Sequence, residues 1–229
     1  MKIAIIAALE RELTLLREAL QNPTEKTIAN MQFSKGNIGN KEIIIAKCGM
    51  GKVSAALVTQ IVIDYYQPDL IINTGCAGAL AKELTIGDIV IANSLVEWDL
   101  DTTEIGTKKS WIQELDMVEL YPEKIFSKKI KLCLPQDTHS VEGLIVSGDR
   151  FVASKEITDY IFKYFPNAMC AEMEGAAIAH VATQNQIDFC VIRTMSDTAD
   201  EKSKVDYWEF SQIAGEKSAK VLLNLFENL

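Results

Sequence analysis

Ile43-Ile44-Ile45-Ala46-Lys47-Cys48-Gly49-Met50-Gly51-Lys52-Val53-Ser54 is the stretch that decides the fold. Its apolar residues stand at consecutive positions, as in a strand covered by helices on both faces, and two glycines then lead into helix-forming sequence. The same handover recurs on both sides of it. Strand-like runs occupy 2–8, 70–74, 88–92, 143–147 and 189–194, and helical patterns occupy 10–20, 52–66, 154–165, 174–185 and 207–228. This alternation predicts an α/β fold of three layers, with helices flanking a central twisted sheet. Gly36-Asn37-Ile38-Gly39-Asn40 falls between two strand-like runs and predicts a hairpin, which makes the sheet mixed. In the last helix Phe210, Ile213, Ala214, Val221, Leu222, Leu225 and Phe226 recur at helical spacing, which predicts a core-packing stripe.

The 229 residues fit one domain, 1–229, and show no repeat or linker-like tract. A formal net charge of −9 argues against nucleic acid as a partner, because phosphate neutralisation needs clustered Lys and Arg. The short basic stretch Lys128-Lys129-Ile130-Lys131 reads as a solvated helix face. Five cysteines, 48, 76, 133, 170 and 190, include no C-x-x-C pair, which predicts thiols in a reducing compartment, the cytoplasm. The apolar amino terminus is cut short by Glu10, Arg11 and Glu12 and reads as a first strand rather than a signal peptide. No apolar run approaches the roughly 18 residues that span a bilayer, so neither a membrane partner nor a membrane location is expected. Residues 98–122 are the least patterned, and read equally as a lid or interface loop and as a wandering connection.

Two glycine motifs invite phosphate readings that their residues resist. Cys48 to Ser54 lacks the Gly and the Ser or Thr of a P-loop, which Ala46 and Val53 replace, and Ser54 replaces the small third residue of a dinucleotide fingerprint. Asn73-Thr74-Gly75-Cys76-Ala77-Gly78 reads as a turn that closes the strand Leu70 to Ile72 and permits close backbone approach to a ligand. Neither His139 nor His180 has a context tying it to Cys76, which argues against a Cys-His hydrolase. Carboxylates are more informative. Glu12, the pair Glu172 and Glu174, and Asp197 follow three different strands, and ligands of open α/β sheets bind outside the carboxyl ends of strands. Each acid alone is equally explained as a partner for a helix dipole or as a cap. Together they match the needs of glycosidic cleavage: an acid for the leaving group, a base for water and a stabiliser of the oxocarbenium-like sugar.

Six segments in register, Ala8-Leu9-Glu10-Arg11-Glu12, Gly49-Met50-Gly51-Lys52-Val53, Asn73 to Gly78, Val146-Ser147-Gly148-Asp149-Arg150-Phe151, Ala171-Glu172-Met173-Glu174-Gly175-Ala176 and Ser196-Asp197-Thr198-Ala199-Asp200, resemble the 5′-methylthioadenosine/S-adenosylhomocysteine nucleosidases. The resemblance implies a nucleoside phosphorylase-like fold, hydrolysis of an adenosine thioether by water, no metal or organic cofactor, and a homodimer. It casts Asp197 as the acid at purine N7, Glu12 as the base for water with help from Arg193, and Glu174 as the group on the ribose hydroxyls. Phe151 would stack on the adenine and Val152 would read its edge, while Leu9, Met50, Met173 and Tyr207 would line a 5′-thioalkyl pocket. Cys76, Gly78, Glu172 and Ser196 complete the implied binding set. Three features depart from the family: Cys76 replaces a hydroxyl residue, Trp98 replaces a histidine before Asp99, and residues 102–107 lack the aromatic and proline residues with which a partner subunit closes the pocket. Two rivals remain, a phosphate-dependent purine nucleoside phosphorylase and a non-catalytic nucleoside-binding protein. Adenosylhomocysteine, deoxyadenosine and aminodeoxyfutalosine stand beside methylthioadenosine as substrates.

Overall fold

The structure is a computed structural model that describes residues 1–200 and 203–228, and the side chains of all of these except 203–206. Its centre is β1 (Lys2–Ala7), whose alternate residues face opposite ways. Ile3, Ile5 and Ala7 pack against Leu13 and Leu16 of α1 (Glu10–Glu18) and against Val221, Leu222, Leu225 and Phe226 of α6 (Ser203–Asn228). Ala4 and Ile6 face the other way, toward Ala55 and Val58 of α2 (Lys52–Tyr66) and Ala176 to Ala179 of α5 (Gly175–Gln184). Helices on both faces of one sheet give the three layers. The expected stripe of α6 holds at its buried positions, but Ile213 points to solvent.

Among the described residues nine strands form one mixed sheet. Besides β1 they are β2 (Gln21–Ile28), β3 (Met31–Ile38), β4 (Lys41–Lys47), β5 (Leu70–Ala79), β6 (Ile89–Glu97), β7 (Ser140–Ser147), β8 (Ala168–Glu172) and β9 (Asp188–Asp197). Their order is β2-β3-β4-β1-β5-β8-β7-β6-β9, and β9 also pairs in parallel with β5, so this half of the sheet curls back on itself. The predicted hairpin is present as β3 and β4, with its turn confined to Gly39-Asn40.

Two expectations are corrected. The glycine segment 75–78 is no turn: β5 runs through it to Ala79, paired with Arg193 to Asp197 of β9 on one side and with Cys170 and Ala171 of β8 on the other. Asp197 therefore ends a strand rather than capping a helix. β2 was unforeseen because its residues are polar and exposed almost throughout, as suits an edge strand carrying Pro23, and β8 because it is five residues long. The basic stretch 128–131 lies in α3 (Lys124–Leu132), where Lys131 pairs with Glu142 while Ile130 is fully buried. Residues 98–122 form two short 3₁₀ turns, pinned by the bridges Leu95 to Leu120 and Ile112 to Met117. α4 (Lys155–Tyr164) covers the curled end of the sheet through Ile161, against Val96, Trp98 and Val146.

Candidate active site

A cleft of about 290 Å³ opens where β1, β5, β8 and β9 end. All fourteen residues singled out in the sequence line it. Glu12, Glu172, Glu174, Arg193, Ser196 and Asp197 form a buried floor; Gly78 and Val152 are buried in its wall; and Leu9, Met50, Cys76, Phe151, Met173 and Tyr207 form a partly exposed rim. None of residues 98–122 lines it, so within one chain that segment is not its lid.

Glu12 sits in the first turn of α1. Its Oε2 accepts from the Leu9 N–H at 2.9 Å and its Oε1 from the Cys76 N–H at 3.1 Å, so two elements fix one carboxylate. The Cys76 thiol also reaches Oε1, at 3.4 Å. Burial and the Glu12 charge push that thiol well above its ordinary pKa, so it stays protonated and is a poor nucleophile. The histidines are elsewhere, His139 on Asp88 and His180 on Glu97. At Gly75, where φ is +154°, a Cβ would stand 2.5 Å from Arg193 Nη1 and 2.7 Å from Glu12 Oε1. Glycine thus lets the guanidinium and the carboxylate close in on one small space.

Arg193 is fully buried, and its Nη2 donates to Asn73 Oδ1 at 2.6 Å and to Glu172 Oε2, with Glu174 Oε2 at 3.6 Å. Burial opposes its charge, but Glu172 and then Glu174 outweigh this and hold its pKa above the usual range. Glu172 also accepts from the N–H groups of Glu174 and Gly175 and from the Ser147 hydroxyl. Its oxygens thereby anchor the start of α5 and the Arg193 guanidinium from within the cleft lining. Glu174 is less committed, with the Gly51 N–H on Oε1 at 2.9 Å. Burial first, and the Glu172 charge second, push its carboxyl up to about 8.

Asp197 is buried, with Oδ1 accepting from the Ala199 N–H at 2.9 Å and Oδ2 from the Ser196 hydroxyl at 3.0 Å. Gly78 makes room for it, since a Cβ there would stand 2.7 Å from Oδ1. At the rim Phe151 and Tyr207 meet edge to face with centroids 5.4 Å apart, and the Tyr207 hydroxyl accepts from Arg11 Nη2 at 2.9 Å. The glycine loop before α2 is already occupied: its Gly51 and Lys52 N–H groups hold Glu174 and Asp149, which physically excludes the phosphate cradle its sequence suggests.

Three supporting residues carry no role in the sequence reading. Asn73 is fully buried and links Arg193 to the Ile6 carbonyl; Ser147 is fully buried between Glu172 and the Ala176 N–H; Arg11 holds Tyr207. The signal for the first two is a polar residue ending an apolar strand run, because a buried polar group needs a partner. Arg11 gave none. Ala8, Ala77 and Ala171 also line the cleft, but alanine carries no chemical signature.

Comparison with known proteins agrees with this geometry. The phosphorylase superfamily model matches residues 2–227. The 5′-methylthioadenosine/S-adenosylhomocysteine nucleosidase of Shewanella sediminis is 38% identical over 230 residues, with all of both chains covered. The crystal structure of the same-named nucleosidase from Neisseria meningitidis, in complex with methylthio-immucillin-A, superposes with a TM-score of 0.96 at 35% identity, covering 100% of this chain and 99% of that one. The futalosine hydrolase of Helicobacter pylori superposes with a TM-score of 0.95 at 32% identity, covering 100% and 98%. With its fold, its carboxylate cleft and its full-length relatives in agreement, the chain belongs to the phosphorylase superfamily and, within it, to the 5′-methylthioadenosine/S-adenosylhomocysteine nucleosidase family.

Proposed function

We propose that this protein hydrolyses the N-glycosidic bond of 5′-methylthioadenosine and S-adenosylhomocysteine, releasing adenine and the 5′-thioribose. The observation that carries this is one cleft in which three separately held acids, Glu12, Glu174 and Asp197, face a rim of Met50, Phe151 and Tyr207. In this reading Phe151 stacks on the purine, the Val152 backbone reads its edge, and Asp197 protonates N7. The C1′–N9 electron pair then leaves with the purine. Glu174 accepts hydrogen bonds from the ribose hydroxyls and steadies the developing cation, and Glu12, beside Arg193, takes a proton from the water that attacks C1′. Leu9, Met50, Met173 and Tyr207 offer the 5′-thioalkyl group an apolar wall.

Water is favoured over phosphate as nucleophile by the charges in the cleft. Among the described residues its cations are Arg150 and Arg193, and Arg193 is already bound to Glu172, whereas Glu12 would repel an anion beside C1′. Methylthioadenosine in phosphate-free buffer should yield adenine and free methylthioribose, followed by chromatography. A phosphate requirement with release of a sugar 1-phosphate would establish the phosphorylase instead, and intact nucleoside after hours of binding would leave only a binding protein. Adenosylhomocysteine, deoxyadenosine and aminodeoxyfutalosine belong in the same assay, since a futalosine hydrolase shares the fold closely.

The cytoplasm and a homodimer are part of the same reading. Five free thiols support a reducing compartment, and among the described residues no helix is long and apolar enough to cross a membrane. A second copy is supported by the apolar stripe beside the cleft on α2 and the loop before it, where Met50, Val53 and Leu57 are 63%, 80% and 45% exposed. Sedimentation equilibrium should give twice the chain mass, and Val53→Asp should shift it toward the monomer.

A further inference from the structure

Lys52 lies at the first turn of α2 and does not line the cleft, yet it joins segments that build both ends of it. Its Nζ donates to Asp99 Oδ1 at 2.7 Å and to Glu97 Oε2 at 2.9 Å, both at the end of β6. Its backbone N–H donates to Asp149 Oδ1 at 2.8 Å, and the Asp149 N–H donates in turn to Asp99 Oδ2 at 2.7 Å. Asp149 leads directly into Arg150, Phe151 and Val152, which line the cleft. One residue before Lys52, the Gly51 N–H holds Glu174. His180 steadies Glu97 from its far side, Nδ1 to Oε1 at 2.9 Å.

We propose that Lys52 is a positioning residue that sets the ribose-binding Glu174 in register with the purine-binding Phe151 and Val152 through this closed ring of contacts. The proposal rests on the nucleosidase reading of the cleft. One ammonium offsets two mostly buried carboxylates, and the three-residue circuit of Lys52, Asp149 and Asp99, continuous with the Gly51 loop, leaves neither segment free to shift alone. Without Nζ, Glu97 keeps only His180 and Asp99 only the Asp149 N–H among these contacts, the cation between the two carboxylates is gone, and the 149–152 segment and the glycine loop lose their common anchor.

The test reads both ends of the cleft in Lys52→Met. Adenine, which probes the purine end, should bind about tenfold more weakly by calorimetry, the loss expected for about one misplaced hydrogen bond. The preference for methylthioadenosine over its 3′-deoxy analogue, which probes Glu174, should also fall by about tenfold in kcat/KM. Lys52→Arg, which retains a donor for both acids, should recover most of both losses. Unchanged adenine affinity and unchanged 3′-hydroxyl preference, with only a lowered Tm, would overturn the proposal, as would a loss at one end alone. If Lys52→Met does not fold by circular dichroism, Asp99→Asn breaks the same ring and is read the same way. Wild-type protein that bound adenine but left the nucleoside intact would overturn the hydrolase reading while leaving the adenine measurement on Lys52 valid.

Discussion

The floor and the rim of the cleft are built on opposite principles. On the floor every acid is buried and oriented by backbone or side-chain donors: Glu12 by two N–H groups, Glu172 by N–H groups, a hydroxyl and a guanidinium, and Asp197 by an N–H and a hydroxyl. The rim is apolar and open, with Met50 and Phe151 partly in solvent and Tyr207 held by Arg11 at its hydroxyl and ring and by the edge of Phe151. Chemistry needs groups fixed before the substrate arrives, because a misplaced acid or base loses the transition state. Recognition of a variable 5′ substituent needs only apolar area and room. The difference teaches that this protein puts its fixed hydrogen bonds where the bond is cleaved and leaves exposed apolar area at the rim.

Substitutions should therefore separate the two regions. The largest effect is expected for Asp197→Asn on the floor, where loss of positioned acid catalysis lowers kcat by about 10²–10⁴-fold. Steady-state release of adenine checks this, and near-normal turnover would remove Asp197 from the chemistry. At the rim, Phe151→Ala should raise KM by about tenfold, the order expected for an aromatic contact, and change kcat little. A kcat loss as large as that of Asp197→Asn would erase the distinction between floor and rim.

Legibility in the sequence followed the same divide between what carries a signature and what does not. The central strands were readable because Ile43 to Ile45 and Leu70 to Ile72 are uninterrupted apolar runs, which only two-sided burial explains. β2 was not, because Gln21 to Thr27 buries almost nothing and so has no periodicity to read. β5 was stopped short at Gly75 because glycine ordinarily marks a turn, whereas here it marks the close approach of Glu12 and Arg193. Site residues were readable as motifs with unusual chemistry, and the cleft gathers all of them. Asn73 and Ser147, which hold Arg193 and Glu172, act through tertiary contacts far apart in sequence, so their signal, a polar residue ending an apolar run, names no partner. Glu172 is grouped with the binding residues in the sequence; it lines the cleft, and what the sequence does not show is that its oxygens also accept from Glu174, Gly175, Ser147 and Arg193.

The smallest effect concerns the floor's least satisfied acid. Glu174 has a carboxyl pushed up to about 8 by burial and by Glu172, against an ordinary 4.5. Between those values the folded chain keeps a proton that the unfolded chain has released. Stability tied to Glu174 is thus fully present below about 4.5 and is lost as pH rises through about 8. Glu174→Gln cannot lose that proton, so its Tm should gain on wild type as pH rises from 5 to 9, by on the order of 10 °C across the range. Differential scanning calorimetry at several pH values checks the slope, and parallel Tm curves would mean that Glu174 is ionised throughout. The same proton links stability to binding. Ribose hydroxyls that donate to Glu174 need its carboxylate, so nucleoside binding near neutral pH should release a proton, visible as a binding enthalpy that changes with the ionisation enthalpy of the buffer. An acid held on the floor without enough donors is the one place where the substrate itself completes the set.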